Sequence, residues 1–115
     1  MNALTVFDFH GRSKVRVVMR NGEPWFVAAD VCTILEIDPS VAVNGRNYRG
    51  EDGKMERGGG LDDDEKDTDI VSTPGGRQEM VIVNEPGLYS LVLKSRKPEA
   101  KLFKRWITHE VLPSI

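Results

Sequence analysis

The sequence has little of what specialised chemistry needs. Among 115 residues there is one cysteine, Cys32, and there are two histidines, His10 and His109. A lone thiol excludes a disulfide-stapled scaffold and agrees with a reducing compartment. Cys32 is expected to be a small core residue rather than a nucleophile, and no local triad arrangement surrounds either histidine, so an enzyme is not expected. Long apolar runs are missing too, which excludes a bilayer-spanning helix, and no membrane partner is expected. Met1 to His10 has neither the basic start nor the apolar stretch of a signal peptide, so a cytoplasmic protein is expected.

What is present is the composition of an ordinary globular chain, 39% hydrophobic and 30% charged. One domain over residues 1–115 is expected, burying roughly two thirds of the surface its unfolded form exposes. The formal charge of -2 hides two poles. Between Lys94 and Arg105 six cations face one anion, and between Asp62 and Asp69 six anions face one cation.

The pattern of apolar residues predicts an α+β fold. KVRVVMR at 14–20 alternates as a half-buried strand with Val15, Val17 and Met19 on one face. Leu4 to Phe9 reads as a strand before it. Asn21-Gly22 is a strong hairpin signal, leading into a third strand at EPWFV. From Ala28 to Ile37 the period becomes helical, with Val27, Val31, Ile34 and Leu35 in one stripe and Asp38-Pro39 as its end. Pro39 also suits the start of a further turn over residues 40–43. Asn44 to Gly60 holds six of the eleven glycines and almost nothing apolar, so it is read as a mobile loop. Two strands, 70–73 and 79–83, then flank Pro74-Gly75-Gly76. Asn84 caps a helix carrying Leu88, Leu91 and Val92, and Pro98 starts a second that runs to about Val111. At 100° per residue this last helix turns Leu102, Trp106, Phe103 and Ile107 toward the core and Lys101, Lys104 and Arg105 away from it, while Glu110 falls awkwardly inside the apolar arc.

Each candidate site has a plainer alternative. Lys94, Arg96, Lys97, Lys101, Lys104 and Arg105 form a basic face suited to DNA phosphates, or simply a solvated helix surface. Asp62, Asp63, Asp64 and Glu65 fail the EF-hand spacing, because its glycine and glutamate positions hold Asp67 and Thr73. The run is a solvated acidic loop or a surface that imitates phosphate for a protein partner. Gly58-Gly59-Gly60 lacks the Lys-Ser/Thr of a phosphate loop. No metal or other cofactor is expected. Trp25, Phe26, Phe103 and Trp106 read as core anchors before stacking platforms.

Four stretches together, GEPWFVAADVC at 22–32, LDDDEK at 61–66, TPGGRQE at 73–79 and NEPGLYSLVLKSRKPEAKLFKRWITHEVLPSI at 84–115, resemble the Bro-N domain of phage antirepressors and baculovirus Bro proteins. The resemblance implies a DNA-associated transcription-regulatory module, the N-terminal part of a longer protein, working in a bacterial host cell if phage or prophage encoded. Its partner would be DNA through the basic face, or alternatively a repressor whose operator contact it blocks. Homo-oligomer formation through a free sheet edge is compatible with either. The segment 44–60 departs from the family, in which many members run almost directly from the first helix into the acidic stretch.

Overall fold

A computed structural model describes residues 3–115; Met1 and Asn2, the first two positions of the expected domain span, lie outside the described residues. Three strands, β1 (Ala3–Phe9), β2 (Ser13–Arg20) and β3 (Glu23–Val27), form an antiparallel meander. Asn21 and Gly22 sit at φ 53° and 79°, the two left-handed positions that a tight hairpin requires. The chain then leaves the sheet through α1 (Ala28–Leu35) and α2 (Pro39–Asn44), makes a separate two-stranded ribbon of β4 (Arg46–Arg49) and β5 (Met55–Gly58), and returns as β6 (Lys66–Thr73) and β7 (Gly76–Val83). β7 enters beside β3, giving the strand order β1-β2-β3-β7-β6 with antiparallel pairing throughout. Two helices, α3 (Glu85–Lys94) and α4 (Glu99–Trp106), complete an α+β architecture.

Alternation along the strands decides what each face of the sheet buries. Val15, Val17, Phe26 and Val83 point toward the helices, where Val31, Leu35, Leu88, Leu91, Phe103 and Ile107 cover them. The opposite face carries a smaller cluster of Val18, Val27, Val71 and Ile82, with Trp25 and Met80 packed against it. Val27 therefore does not belong to the stripe of α1, as its spacing predicts; it is the last residue of β3 and continues the two-residue period of Trp25 and Phe26. Met19, at the end of its stripe, is only half-buried.

Asp30 on α1 joins helix to sheet. The β2–β3 ladder ends at Val17↔Phe26, and the Arg16 N–H just beyond it donates to Asp30 Oδ2 at 3.0 Å. The same carboxylate takes the Arg16 guanidinium in two bonds of 2.8 Å each. α1 ends two residues earlier than its pattern predicts: Glu36 turns left-handed at φ 54° and Ile37 N–H returns to Cys32 O, the pattern by which helices commonly stop.

The segment 44–60 is a correction to the sequence reading, since its middle is paired. Arg46↔Gly58, Asn47↔Arg57, Tyr48↔Glu56 and Arg49↔Met55 make a regular antiparallel ladder. Glycine count pointed to a loop, but two of the glycines serve the ribbon's root. A Cβ on Gly45 would lie 2.5 Å from Gly58 O, and one on Gly60 would lie 2.7 Å from the Asn44 carbonyl carbon, so only glycine lets the two chains cross that closely. Leu61 N–H then donates to Val43 O at 2.9 Å and Leu61 buries its side chain, tying the ribbon's exit to α2.

Candidate nucleic-acid interface

The basic face is built by the aromatic residues beneath it. Phe103 is fully buried and Trp106 nearly so. Their rings meet Phe9 at centroid distances of 5.4 and 5.0 Å, and Phe7 reaches Trp106 at 6.5 Å. This edge-on cluster locks α4 against β1, and a helix so oriented must send Lys101, Lys104 and Arg105 outward. All three are exposed.

Leu102 is a correction: the helical wheel turns it toward the core, but it is 56% exposed. The buried arc is centred instead on Ala100, Phe103 and Ile107. Past Trp106 the helix widens into a π turn over Ile107–Val111. A residue there advances less than 100°, so the phase slips by the end of the turn. Val111 consequently reaches the core, and Glu110, which a regular helix would have buried, lies exposed. The Thr108 hydroxyl donates to Lys104 O and Arg105 O at 3.0 and 3.1 Å where the turn opens.

Lys94, Arg96 and Lys97 flank this face from the end of α3 and the short connection to α4, and all are exposed. The structure separates the six cations into two kinds. Lys94 Nζ donates to Gly59 O at the ribbon's root, and Lys97 pairs with Glu36 at 3.3 Å. Arg96, Lys101, Lys104 and Arg105 have no ion-pair partner among the described residues. Ser95 fixes the connection itself by donating from its hydroxyl to Leu35 O at 2.9 Å, capping the end of α1.

The acidic run lies at the other end of α3. Asp62 and Glu65 close a reciprocal capping box around the 3-10 turn at Asp63–Glu65. Glu65 Oε2 also accepts from Ser90, and Asn84 donates to the backbone oxygens of Asp64 and Glu65. Asp62 and Glu65 are thus tied into the cap, whereas the side chains of Asp63 and Asp64, exposed like Asp62, take no part in it. With acids at the N-terminus of α3 and Lys94 in its last turn, both poles complement the helix dipole. About 15 Å of helix keeps them apart.

Cys32 is fully buried, and its thiol is pushed up from 9.0 to about 11, first by burial and then by the charge of Asp38. It is a neutral core residue. His10 lies beside Phe9 at 4.6 Å, and no cluster of metal-ligating side chains occurs among the described residues. No helix among the described residues is long and apolar enough to cross a membrane.

The cations that sequence reasoning missed are on the ribbon. Arg46, Arg49, Lys54 and Arg57 were hidden by the glycines around them, although RNYR and MERG flanking GEDGK have the length and polarity of a solvent-exposed hairpin.

The structure is thus a mixed α+β domain with an exposed basic helical face over an aromatic anchor. Residues 14–113 match the BRO family, N-terminal domain, and the chain belongs to that family. An uncharacterized protein of Haemophilus influenzae is 40% identical over 102 residues, which cover 88% of this chain and 44% of that protein. The Bro-N domain-containing protein 201R of Invertebrate iridescent virus 6 is 30% identical over 105 residues, 81% of this chain and 24% of its own length. The chain therefore spans less than half of the length of these relatives. No solved structure matches it.

Proposed function

We propose that the chain is a phage-type antirepressor or transcription-regulatory domain that binds DNA through the face bearing Lys94, Arg96, Lys97, Lys101, Lys104 and Arg105, working in the cytoplasm of a host cell. The observation that carries this reading is the set of four exposed cations, Arg96, Lys101, Lys104 and Arg105, without ion-pair partners among the described residues. Membership of a regulatory, DNA-associated family supports the choice of DNA as target. Phosphate contacts release counterions, so affinity for random duplex is expected to fall steeply with salt. In fluorescence anisotropy, reversing Lys101, Lys104 and Arg105 to Glu should lower the log-log salt slope by about 3, near 0.9 for each lost contact. Unchanged binding by the triple variant would reject this face.

A second reading rests on Asp63 and Asp64, which the fold leaves in solvent while using their neighbours for capping. In that reading the two carboxylates stand in for phosphates and occupy a repressor's DNA site. A D63N/D64N variant that still displaced the repressor from its operator at full strength would remove it.

A further inference from the structure

The ribbon at 46–58 has no role in the core. Seven of its eight strand residues are exposed, yet its pairing is regular and its root is built from close glycine crossings. Side chains alternate across such a ladder. Asn47, Arg49, Met55 and Arg57 consequently share one face, as the 3.2 Å bond from Arg57 Nε to Asn47 Oδ1 requires. That face carries two guanidinium groups and an amide with no carboxylate at a strand position. Glu56 lies on the other face with Arg46 and Tyr48.

We propose that this face enters the major groove of double-stranded DNA and reads base edges, while the basic face of α3 and α4 holds the phosphates. The inference rests on the DNA-binding reading above and assigns it a specificity element. Size and chemistry support it. Two strands about 5 Å apart fit a groove about 12 Å wide. Four residues at about 3.3 Å each reach beyond the roughly 8.5 Å to the groove floor. Arginine matches the acceptor pair of guanine and asparagine the mixed edge of adenine. The arrangement is also contiguous: Lys94 of α3 bonds Gly59 O at the ribbon's root, and Arg46, Gly59 and Lys94 are among the residues lining a shared groove of about 330 Å³. Glu51 and Asp52 at the tip would repel a phosphate backbone, so the ribbon suits base edges better than a phosphate clamp.

The test is selection from a random duplex pool, with the whole chain in three forms: unaltered, N47A/R49A/R57A, and a deletion of residues 46–58 that joins Gly45 to Gly59. The deletion is feasible because a Cβ on Gly45 lies only 2.9 Å from Gly60 N. The unaltered chain should enrich a short motif and prefer it over random duplex by about 10- to 100-fold. Both variants should lose that preference while keeping salt-sensitive affinity for random duplex. Equal enrichment by all three forms, or duplex binding without any enrichment, overturns the ribbon's role and leaves the basic face standing. Failure of every form to bind duplex overturns both readings.

Discussion

The chain makes two hairpins outside its N-terminal meander, and they are put together differently. The hairpin of β6 and β7 places Val71 and Ile82 against Val18 and Val27, with Trp25 and Met80 alongside, so it is part of the fold through its side chains. The ribbon of β4 and β5 contributes no buried side chain; its attachment is backbone on backbone at Gly45, Gly60 and Leu61. A hairpin of the first kind cannot change its outer residues on one face without cost. One of the second kind is free to carry whatever a partner selects. The same contrast recurs within α4, where Phe103 and Trp106 fix the helix and Lys101, Lys104 and Arg105 are available to solvent.

The most severe test of this contrast is Ile82→Ala. Ile82 is fully buried, and truncation should cost about 2–4 kcal/mol, lowering Tm by roughly 10–20 °C in a thermal melt. An equally large loss from a ribbon side chain would dissolve the distinction. Next come Gly45→Ala and Gly60→Ala, whose added methyl groups meet backbone atoms at 2.5 and 2.7 Å. Each should cost about 1–3 kcal/mol in denaturant unfolding, placing the ribbon's stability at its root.

A smaller effect is expected where the first hairpin is tied by charge. Arg20 lies over the Trp25 ring at 5.1 Å and pairs with Asp67 at 2.9 Å. The Thr68 N–H first, and Arg20 second, hold the Asp67 carboxyl below its ordinary value of 3.8. A carboxyl whose folded pKa is depressed stabilises above its unfolded pKa, and that contribution is lost as pH falls through the folded value. Asp67→Asn should therefore cost under about 1 kcal/mol at pH 7, the pair being half exposed, with the difference from the unaltered chain shrinking below about pH 4. A difference that grew in acid would reverse the sign of the linkage. Smallest of all should be Met55→Ala and Arg57→Ala on the exposed ribbon, within about 0.5 kcal/mol by the same unfolding measurement.

Residues whose spacing alone carries the signal were legible. Asn21-Gly22, the Asn84 cap and the outward cations of α4 stand where local pattern puts them, because short-range sterics and periodicity decide them, whereas KVRVVMR, read as buried on one face, also buries Val18 on the other and leaves Met19 half-buried. β6 begins at Lys66 rather than at Ile70, because pairing with β7 carries acidic residues such as Asp67 into the ladder against their propensity.

By itself the sequence determined the α+β order of elements, the turn chemistry, the two charge poles and the inward aromatic anchor, since each depends on neighbours within one turn or one hairpin. Only the tertiary structure decided that the glycine-rich stretch is a ribbon, that Val27 faces the second cluster, that a π turn releases Glu110 while burying Val111, and which acidic and basic residues are consumed by the fold. Those outcomes depend on contacts between segments distant in the chain, where close backbone approach and packing on a particular face outweigh any preference a local window contains.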